Sequence, residues 1–492
     1  METPCSEMIG ASIQQTDSYK KSVSLYQASW DDLRQCIAKN HVDLTHLSAV
    51  LVKLENKTHF DKKRQNEVED IETSVTEIVQ TILDKMGVYD NTCRDLRLIK
   101  AGGYFDGTKI RIPDEFDFVV DISSLSSYFS TKTKEEVQID CWKEDSSRVN
   151  VRVVGTPDPT VAIFCPDVCM NASNRQESAS KCGPTGVIMN KKFSKLFTSL
   201  FKKVVISFIE DGMIVTRSTG TMKIMPDLVN ILANTLDDSF LPFYTLWIPK
   251  RDTEAVGISI DITPSFRLDS DYLNFNRTFV NVDALKKISG IIGKDNCFMR
   301  LVLRDDDHWR LSLSHVETEV IREADDIHKM CSRILKMLKE GKPLDADQDH
   351  IPNASYMESS ARSFKFTEMC TSYTIKTAIL RHIISCNRST CGLGNCFISI
   401  LLEVEEMVKS GEFTGLFIGI NKKESTCTGN WELDTLSYLS RLNTIFIDLI
   451  EGREQDETSA AEQVCQERKK YIHDICTSDD FKDIQDWYIG AI

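Results

Sequence analysis

Long apolar runs are missing from this chain. No segment of its 492 residues approaches the roughly 18 consecutive apolar side chains that a membrane span needs, and its amino end lacks the charged-then-apolar pattern of a secretory leader. Both absences lead to the expectation of a soluble, cytoplasmic protein with no membrane partner. Basic charge is short as well: 59 Lys and Arg stand against 74 Asp and Glu, for a formal net charge of −15. Indiscriminate nucleic-acid binding draws on a positive surface field, so a chain with this balance can meet a polyanion only through a local patch. Internal repeats and long low-complexity tracts are not evident.

What is present is a hydrophobic share of 41% in a chain long enough for two lobes and a sizeable core. Sixteen cysteines are scattered singly, which fits buried thiols in a reducing compartment better than a disulfide framework. Residues 1–58 are polar with apolar clusters at Leu25 to Leu33 and Leu44 to Leu54, and read as a helical extension. From Phe60 to Met86, Val68, Ile71, Val75, Ile78, Val79, Ile82 and Met86 recur at helical spacing, with Gly87 as the expected cap. Strands are predicted to follow as far as Ile163, then a Cys, Asn and Ser-rich connection ending near Gly186. A helix is predicted over Lys191 to Val204, and strands return up to residue 316. Helical periodicity takes over from Glu317 to Ile450, and residues 451–492 close the chain with Trp487 and Tyr488 in a candidate last helix. The predicted architecture is an α/β core at 59–316, a mixed sheet with a long spine helix, followed by a helical lobe at 317–450.

Within the core, residues 101–122 read AGGYFDGTKIRIPDEFDFVVDI. The small-residue turn at Gly102 and Gly103 suits close approach of backbone N–H groups to a triphosphate. Glu115 and Asp117 lie two apart in an apolar strand, so they project from one face while Phe116, Phe118 and Val120 face the other. Alone, the pattern also fits an ordinary turn and a half-buried edge strand. A third acid changes the balance. In VGISIDITPSF, Val256, Ile258, Ile260 and Ile262 hold one phase of an alternating strand and Asp261 sits in the other. Three carboxylates from neighbouring strands are what two-ion phosphoryl transfer needs, and hard oxygen ligands select Mg²⁺ or Mn²⁺. Asp114 is expected on the opposite face, and Asp121 lies about 13 Å beyond Asp117 along an ideal strand, so neither is a candidate ligand.

Further segments carry a resemblance. Ala101-Gly102-Gly103, Glu115-Phe116-Asp117, Asp261 in SIDIT, WRLSLSH at 309–315 and SYTIKT at 372–377 stand in the order found in cGAS-like receptors, the relatives of cyclic GMP-AMP synthase. The likeness spans roughly residues 60–450. It implies a bilobed nucleotidyltransferase that uses ATP, GTP or both to make a cyclic dinucleotide in innate immune sensing. Glu115, Asp117 and Asp261 would then be catalytic and hold two Mg²⁺ or Mn²⁺ ions. Tyr373 would stack on a base, with Ser372 and Lys376 close by on its helix. Arg310, Ser312 and Ser314, read as alternating on one strand face, would present a guanidinium fork and two hydroxyls to the nucleotides. Lys336 aligns with a phosphate-contacting lysine of the family. Each of these residues equally fits an ordinary amphipathic helix or a surface strand.

Two departures from the family stand out. Gly103 replaces the Ser of cyclic GMP-AMP synthase. The His-Cys-Cys-Cys zinc ribbon of the vertebrate enzyme is also missing, since the segment after SH offers only His328 and Cys331. The expectation is therefore no zinc and no DNA sensing by that geometry. Lys191, Lys192, Lys195, Lys202 and Lys203 flank the stripe of one helix, and Lys62, Lys63 and Arg64 begin the long helix. Such flanks also serve as plain solvated faces. The family places its activating ligand across these two elements, which makes duplex RNA the expected activator and leaves room for a ligand-induced oligomer. A non-catalytic scaffold of the same fold and an oligoadenylate-type synthase are the rival readings.

Overall fold

The computed structural model describes residues 17–38, 44–58, 65–110, 113–133, 136–141, 148–154, 185–187, 190–224, 241–250, 255–268, 281–303, 309–339, 372–387, 391–410, 412–413, 422–423, 430–454 and 456–477. Lys62, Lys63, Arg64, the Cys, Asn and Ser-rich connection, and Trp487 with Tyr488 lie outside them. Helices α1 (Asp17–Ala38) and α2 (Thr45–Asn56) open the chain and precede the long α3 (Gln65–Tyr89). Then come β1 (Leu96–Ala101), α4 (Gly102–Phe105), β2 (Glu115–Ile122), α5 (Ser123–Ser130), β3 (Val137–Cys141), β4 (Arg148–Val154) and β5 (Thr185–Val187). Helix α6 (Asn190–Glu210) leads to β6 (Ile214–Thr216), β7 (Gly220–Ile224), β8 (Leu241–Pro249), β9 (Val256–Leu268), α7 (Val282–Ile292), β10 (Met299–Leu303), β11 (Trp309–Ser312) and α8 (Ser314–Arg322). The remainder is α9 (Asp326–Lys339), α10 (Ser372–Ser385), α11 (Leu393–Ser410), the small pair β12 (Glu412–Phe413) and β13 (Lys422–Lys423), α12 (Asn430–Ile450) and α13 (Glu457–Thr477).

Residues 60–324, with 414–421, form one compact unit, and residues 1–59, 325–413 and 422–492 form another. The first is built on a mixed eleven-stranded sheet in the order β3-β4-β11-β10-β9-β8-β7-β6, with β5 on β4 and β2 between β1 and β9. Helix α3 is the spine expected from its periodicity: Val68, Ile71, Val75, Ile78, Val79, Ile82 and Met86 are all buried. It continues through Gly87 to Tyr89. Gly87 is not a cap; it lets the chain return, because a Cβ there would lie 2.9 Å from the Cys93 carbonyl oxygen. Acids on the spine pin the β6–β7 turn and β8. Asp70 accepts from Ser218 Oγ at 2.7 Å and Thr219 N at 2.9 Å, and Glu67 accepts from Trp247 Nε1 at 3.0 Å. On the sheet's inner face Phe266 stacks on Phe129 at 4.7 Å and meets Trp309 edge-on at 4.9 Å. Burying each ring contributes about 1.5–3 kcal/mol.

In the second unit α1 packs on α12, and α2 on α11 and α13. Arg333 Nη2 meets Glu55 at 2.6 Å, and Arg468 Nε donates to the Met337 carbonyl at 2.7 Å. The amino-terminal helices are therefore part of the helical unit and not a separate extension. The expected boundary after residue 316 also moves. Helix α8 buries Val316, Val320 and Ile321 and packs on α4, α7 and β1 of the sheet unit, so the division falls at Ala324.

Candidate active site

Alternation along two strands assembles the acids. Strand β2 buries Phe116 and Phe118 and leaves Glu115 exposed and Asp117 half-buried; β9 buries Ile258, Ile260 and Ile262 and leaves Asp261 half-buried. The two strands run parallel with Asp117 directly opposite Asp261 and Glu115 opposite Ser259. One carboxylate oxygen from each of Glu115, Asp117 and Asp261 lies within 4.8 Å of the others. Like charges facing each other across a strand pair destabilise it, so this grouping fits cations, and its all-oxygen donor set fits Mg²⁺ or Mn²⁺.

The turn before β2 is shaped by Asp117. Gly102 has φ +76°, and a Cβ on it would sit 1.8 Å from Asp117 Oδ2. Glycine is thus required twice over, for the left-handed backbone and for the space. Its N–H donates to Thr318 Oγ1 at 3.2 Å, which ties the turn to α8. The Gly103 carbonyl accepts from Thr108 N and Lys109 N at 3.0 and 2.8 Å, closing the loop that leads to the acids.

Lys109 is the residue that sequence reasoning missed. Its Nζ lies 2.9 Å from both Asp114 and Glu115. Burial works against its charge, but Asp114 and Glu115 outweigh burial and hold the ammonium above the ordinary lysine range. It supplies one positive charge beside three acids. Asp114 stands just ahead of β2, sharing Lys109 with Glu115, and not on a remote face. Asp121 is structural: its carboxylate accepts from Arg300 Nη1 at 2.5 Å and Ser126 Oγ at 2.7 Å, all buried. Removing either partner of such a buried pair costs about 3–5 kcal/mol.

Burial, then repulsion from Glu115, raises Asp261 to about 6, with Lys109 opposing. Folded Asp261 therefore binds its proton more tightly than in the unfolded chain, whose carboxyl titrates near 3.8. The folded state carries the extra proton between those values, so stability falls as pH rises from about 4 to about 6. With no divalent ion added, melting curves of the unmutated protein should lose ground to those of Asp261→Asn across that window. Parallel curves would contradict the crowding of the acids.

Other expected residues are placed differently. Arg310 is exposed on β11, but the strand ends at Ser312, which is buried, and Ser314 starts α8. The three do not alternate on one strand face, because Leu313 at ψ 18° turns the chain; Ser312 Oγ instead donates to Ser314 Oγ at 3.1 Å. Lys336, half-buried, is on α9 of the helical unit, and Ser372, Tyr373 and Lys376 are in the first turns of α10. Buried Lys339 Nζ donates to Ser372 Oγ at 3.1 Å, a link that spacing could not reveal. Tyr373 is 41% exposed. If its ring stacks on a base, Tyr373→Ala should weaken nucleotide use by about 1–3 kcal/mol and Tyr373→Phe far less; equal losses in triphosphate KM would point to the phenol instead.

On α6, Lys195 and Lys203 are exposed and Lys202 half-buried, while Lys191 and Lys192 lie in the same helix with side chains outside the description. Lys195 and Lys202 are seven residues apart and share a face; Lys203 stands 4.1 Å over the Tyr89 ring. The expected absence of zinc rests on one contiguous segment, the stretch that follows the SH strand. In the helical unit His328 is gathered with His382 of α10, Cys386 just beyond it and Cys396 of α11, a group able to hold a metal ion, so that expectation reaches no further than its own segment.

The family model described as the Mab-21 protein nucleotidyltransferase domain matches residues 104–323. The match takes in Lys109 and all three acids and supports a nucleotidyltransferase of the superfamily shared by Mab-21 proteins and cyclic GMP-AMP synthase. No curated protein matches the chain significantly. Among the described residues, no helix is long and apolar enough to cross a membrane.

Proposed function

We propose that the chain joins two nucleoside triphosphates, ATP, GTP or one of each, into a cyclic dinucleotide and releases pyrophosphate, as a nucleic-acid-activated signal in innate immune sensing. The observation that carries this reading is the convergence of Glu115, Asp117 and Asp261 from two paired strands beside a glycine turn, together with the nucleotidyltransferase match over that segment. Divalent ions held there would acidify the acceptor hydroxyl and offset charge on the leaving pyrophosphate. Asp117 and Asp261, fixed in register, set the spacing of the donor oxygens. Gly102 keeps that space open, and Lys109 orients Glu115. An acid of the triad receives the proton of the attacking hydroxyl. Ser372, Tyr373 and Lys376, with Lys336 and Arg310, would bind base and phosphate, and the linear intermediate would turn round for the second transfer. Incubation of the purified protein with labelled triphosphates, Mg²⁺ or Mn²⁺, and duplex RNA, duplex DNA or no ligand tests the reading. It expects one compact phosphatase-resistant product. A ladder would indicate an oligoadenylate-type synthase, and no product under any condition would indicate a scaffold.

The lysines on α6 suit the phosphates of a duplex, and duplex RNA, the activator that the family resemblance favours, would be read there through them. Charge reversal at Lys195 together with Lys202 should abolish ligand-stimulated synthesis while sparing basal Mn²⁺-driven turnover. Ligand affinity of the unmutated protein should fall with salt by a log–log slope of about −0.9 per phosphate neutralised for B-form DNA and similar order for RNA. A clear preference for DNA would sink the RNA assignment without touching the catalytic one.

A further inference from the structure

Far from the acids in sequence, three helices of the helical unit bring four soft or borderline ligands together. His328 is in the first turn of α9, His382 is in the last turn of α10, and Cys386 directly follows that helix, its N–H still donating to the His382 carbonyl at 2.7 Å. His382 and Cys386 therefore share a face one turn apart. Cys396 is in the first turn of α11. Its Sγ lies 3.9 Å from Cys386 Sγ and 3.9 Å from His328 Nε2, the two imidazole centroids are 5.4 Å apart, and one ligand atom of each residue lies within 4.8 Å of every other. Zinc held by bonds of about 2.0–2.3 Å in a tetrahedron sets its ligand atoms about 3.4–3.8 Å apart. The cluster needs to contract by only a few tenths of an ångström along the measured edges.

The sulfurs are too far apart for a disulfide, whose bond is about 2.05 Å, and Cys331, Cys386, Cys391 and Cys396 are all free thiols. His328 and Cys396 are each about 1% exposed, so the group is not a solvent-facing accident. His382 Nε2 is buried with no hydrogen-bond partner among the described residues, a polar atom that a metal bond would satisfy.

We propose that His328, His382, Cys386 and Cys396 bind one structural Zn²⁺ that ties α9, α10 and α11 together. Two nitrogens and two sulfurs in a closed, four-coordinate set select zinc over Mg²⁺ or Mn²⁺, and binding releases the two thiol protons to solvent. The site is not a ribbon, because three of its ligands lie in packed helices and the fourth, Cys386, directly follows one of them. Its consequence lies at the other end of α10, where the same helix begins with Ser372, Tyr373 and Lys376. Fixing one end of a fourteen-residue helix against two others holds the opposite end in place. The proposal is independent of the reaction assigned to the acids.

Elemental analysis of the full chain, purified under reducing conditions and dialysed against a weak chelator, should find about one zinc per chain. Cobalt substitution should give the visible absorption of tetrahedral S₂N₂ coordination. His382→Ala with Cys386→Ser, and separately Cys396→Ser, should lose the metal, while Cys331→Ser and Cys391→Ser retain it. Stripping zinc with a strong chelator should lower the melting temperature and raise amide exchange along α10. Folded, reduced protein that carries no zinc and takes up no cobalt would overturn the proposal. So would a disulfide between Cys386 and Cys396 by peptide mapping, or loss of metal only in the Cys331 or Cys391 variants. Should the ligand variants fail to fold, the metal content and cobalt spectrum of the unmutated chain decide the matter.

Discussion

Asp117→Asn should abolish product formation while the protein stays folded. The substitution keeps the shape of the side chain in β2 but replaces a charged oxygen by an amide, which ligates hard cations poorly. Loss of an outer-shell partner of a metal site typically costs about 10–100-fold, and loss of a direct ligand should exceed that. The melting temperature should hold or rise, because Asp117 faces Asp261 across the β2–β9 pair and their repulsion is relieved. Asp114→Asn is the informative control: it loses one contact to Lys109 but stays outside the three-acid group, so synthesis should persist. Full activity in Asp117→Asn, measured as pyrophosphate release with labelled triphosphates, would remove the triad from the mechanism.

The parts of the site that can be read from the sequence are those where the period of one element carries the information. Glu115 and Asp117 two apart in a run of buried aromatics, and Asp261 in the polar phase of β9, declare a shared strand face. Register between the strands is not encoded in either one, so the pairing of Asp117 with Asp261 emerges only with the sheet. The α3 stripe is equally plain, yet its end is not, because Gly87 answers to the carbonyl of Cys93 six residues on and not to a cap. Ser314 is misplaced by pattern alone because a polar alternation continues through a strand-to-helix turn at Leu313 without changing its appearance. Lys109 is invisible there: a lysine in a loop has no period, and its importance lies in two carboxylates that the fold brings to it. The His and Cys cluster escapes for the same reason. Only His382 and Cys386 share a local spacing, while His328 lies 54 residues before His382 and Cys396 on another helix.

Gly102→Ala should be as damaging to activity as loss of an acid, though it removes no functional group. Two penalties apply. The left-handed backbone at φ +76° costs about 1–2 kcal/mol with a Cβ, and the methyl would overlap Asp117 Oδ2, forcing the carboxylate away from Asp261 or the turn away from Thr318. The two can be separated. Gly212, in the turn between α6 and β6, has φ +63° and nothing within 4 Å of where a Cβ would stand. Gly212→Ala therefore carries the backbone strain alone. Both variants should lose about 1–2 kcal/mol in urea unfolding, with Gly102→Ala losing more, but only Gly102→Ala should lose synthesis, by a fall in kcat that added Mn²⁺ does not restore. Equal activity in the two variants would mean that the close approach of the turn to Asp117 has no part in placing the carboxylates.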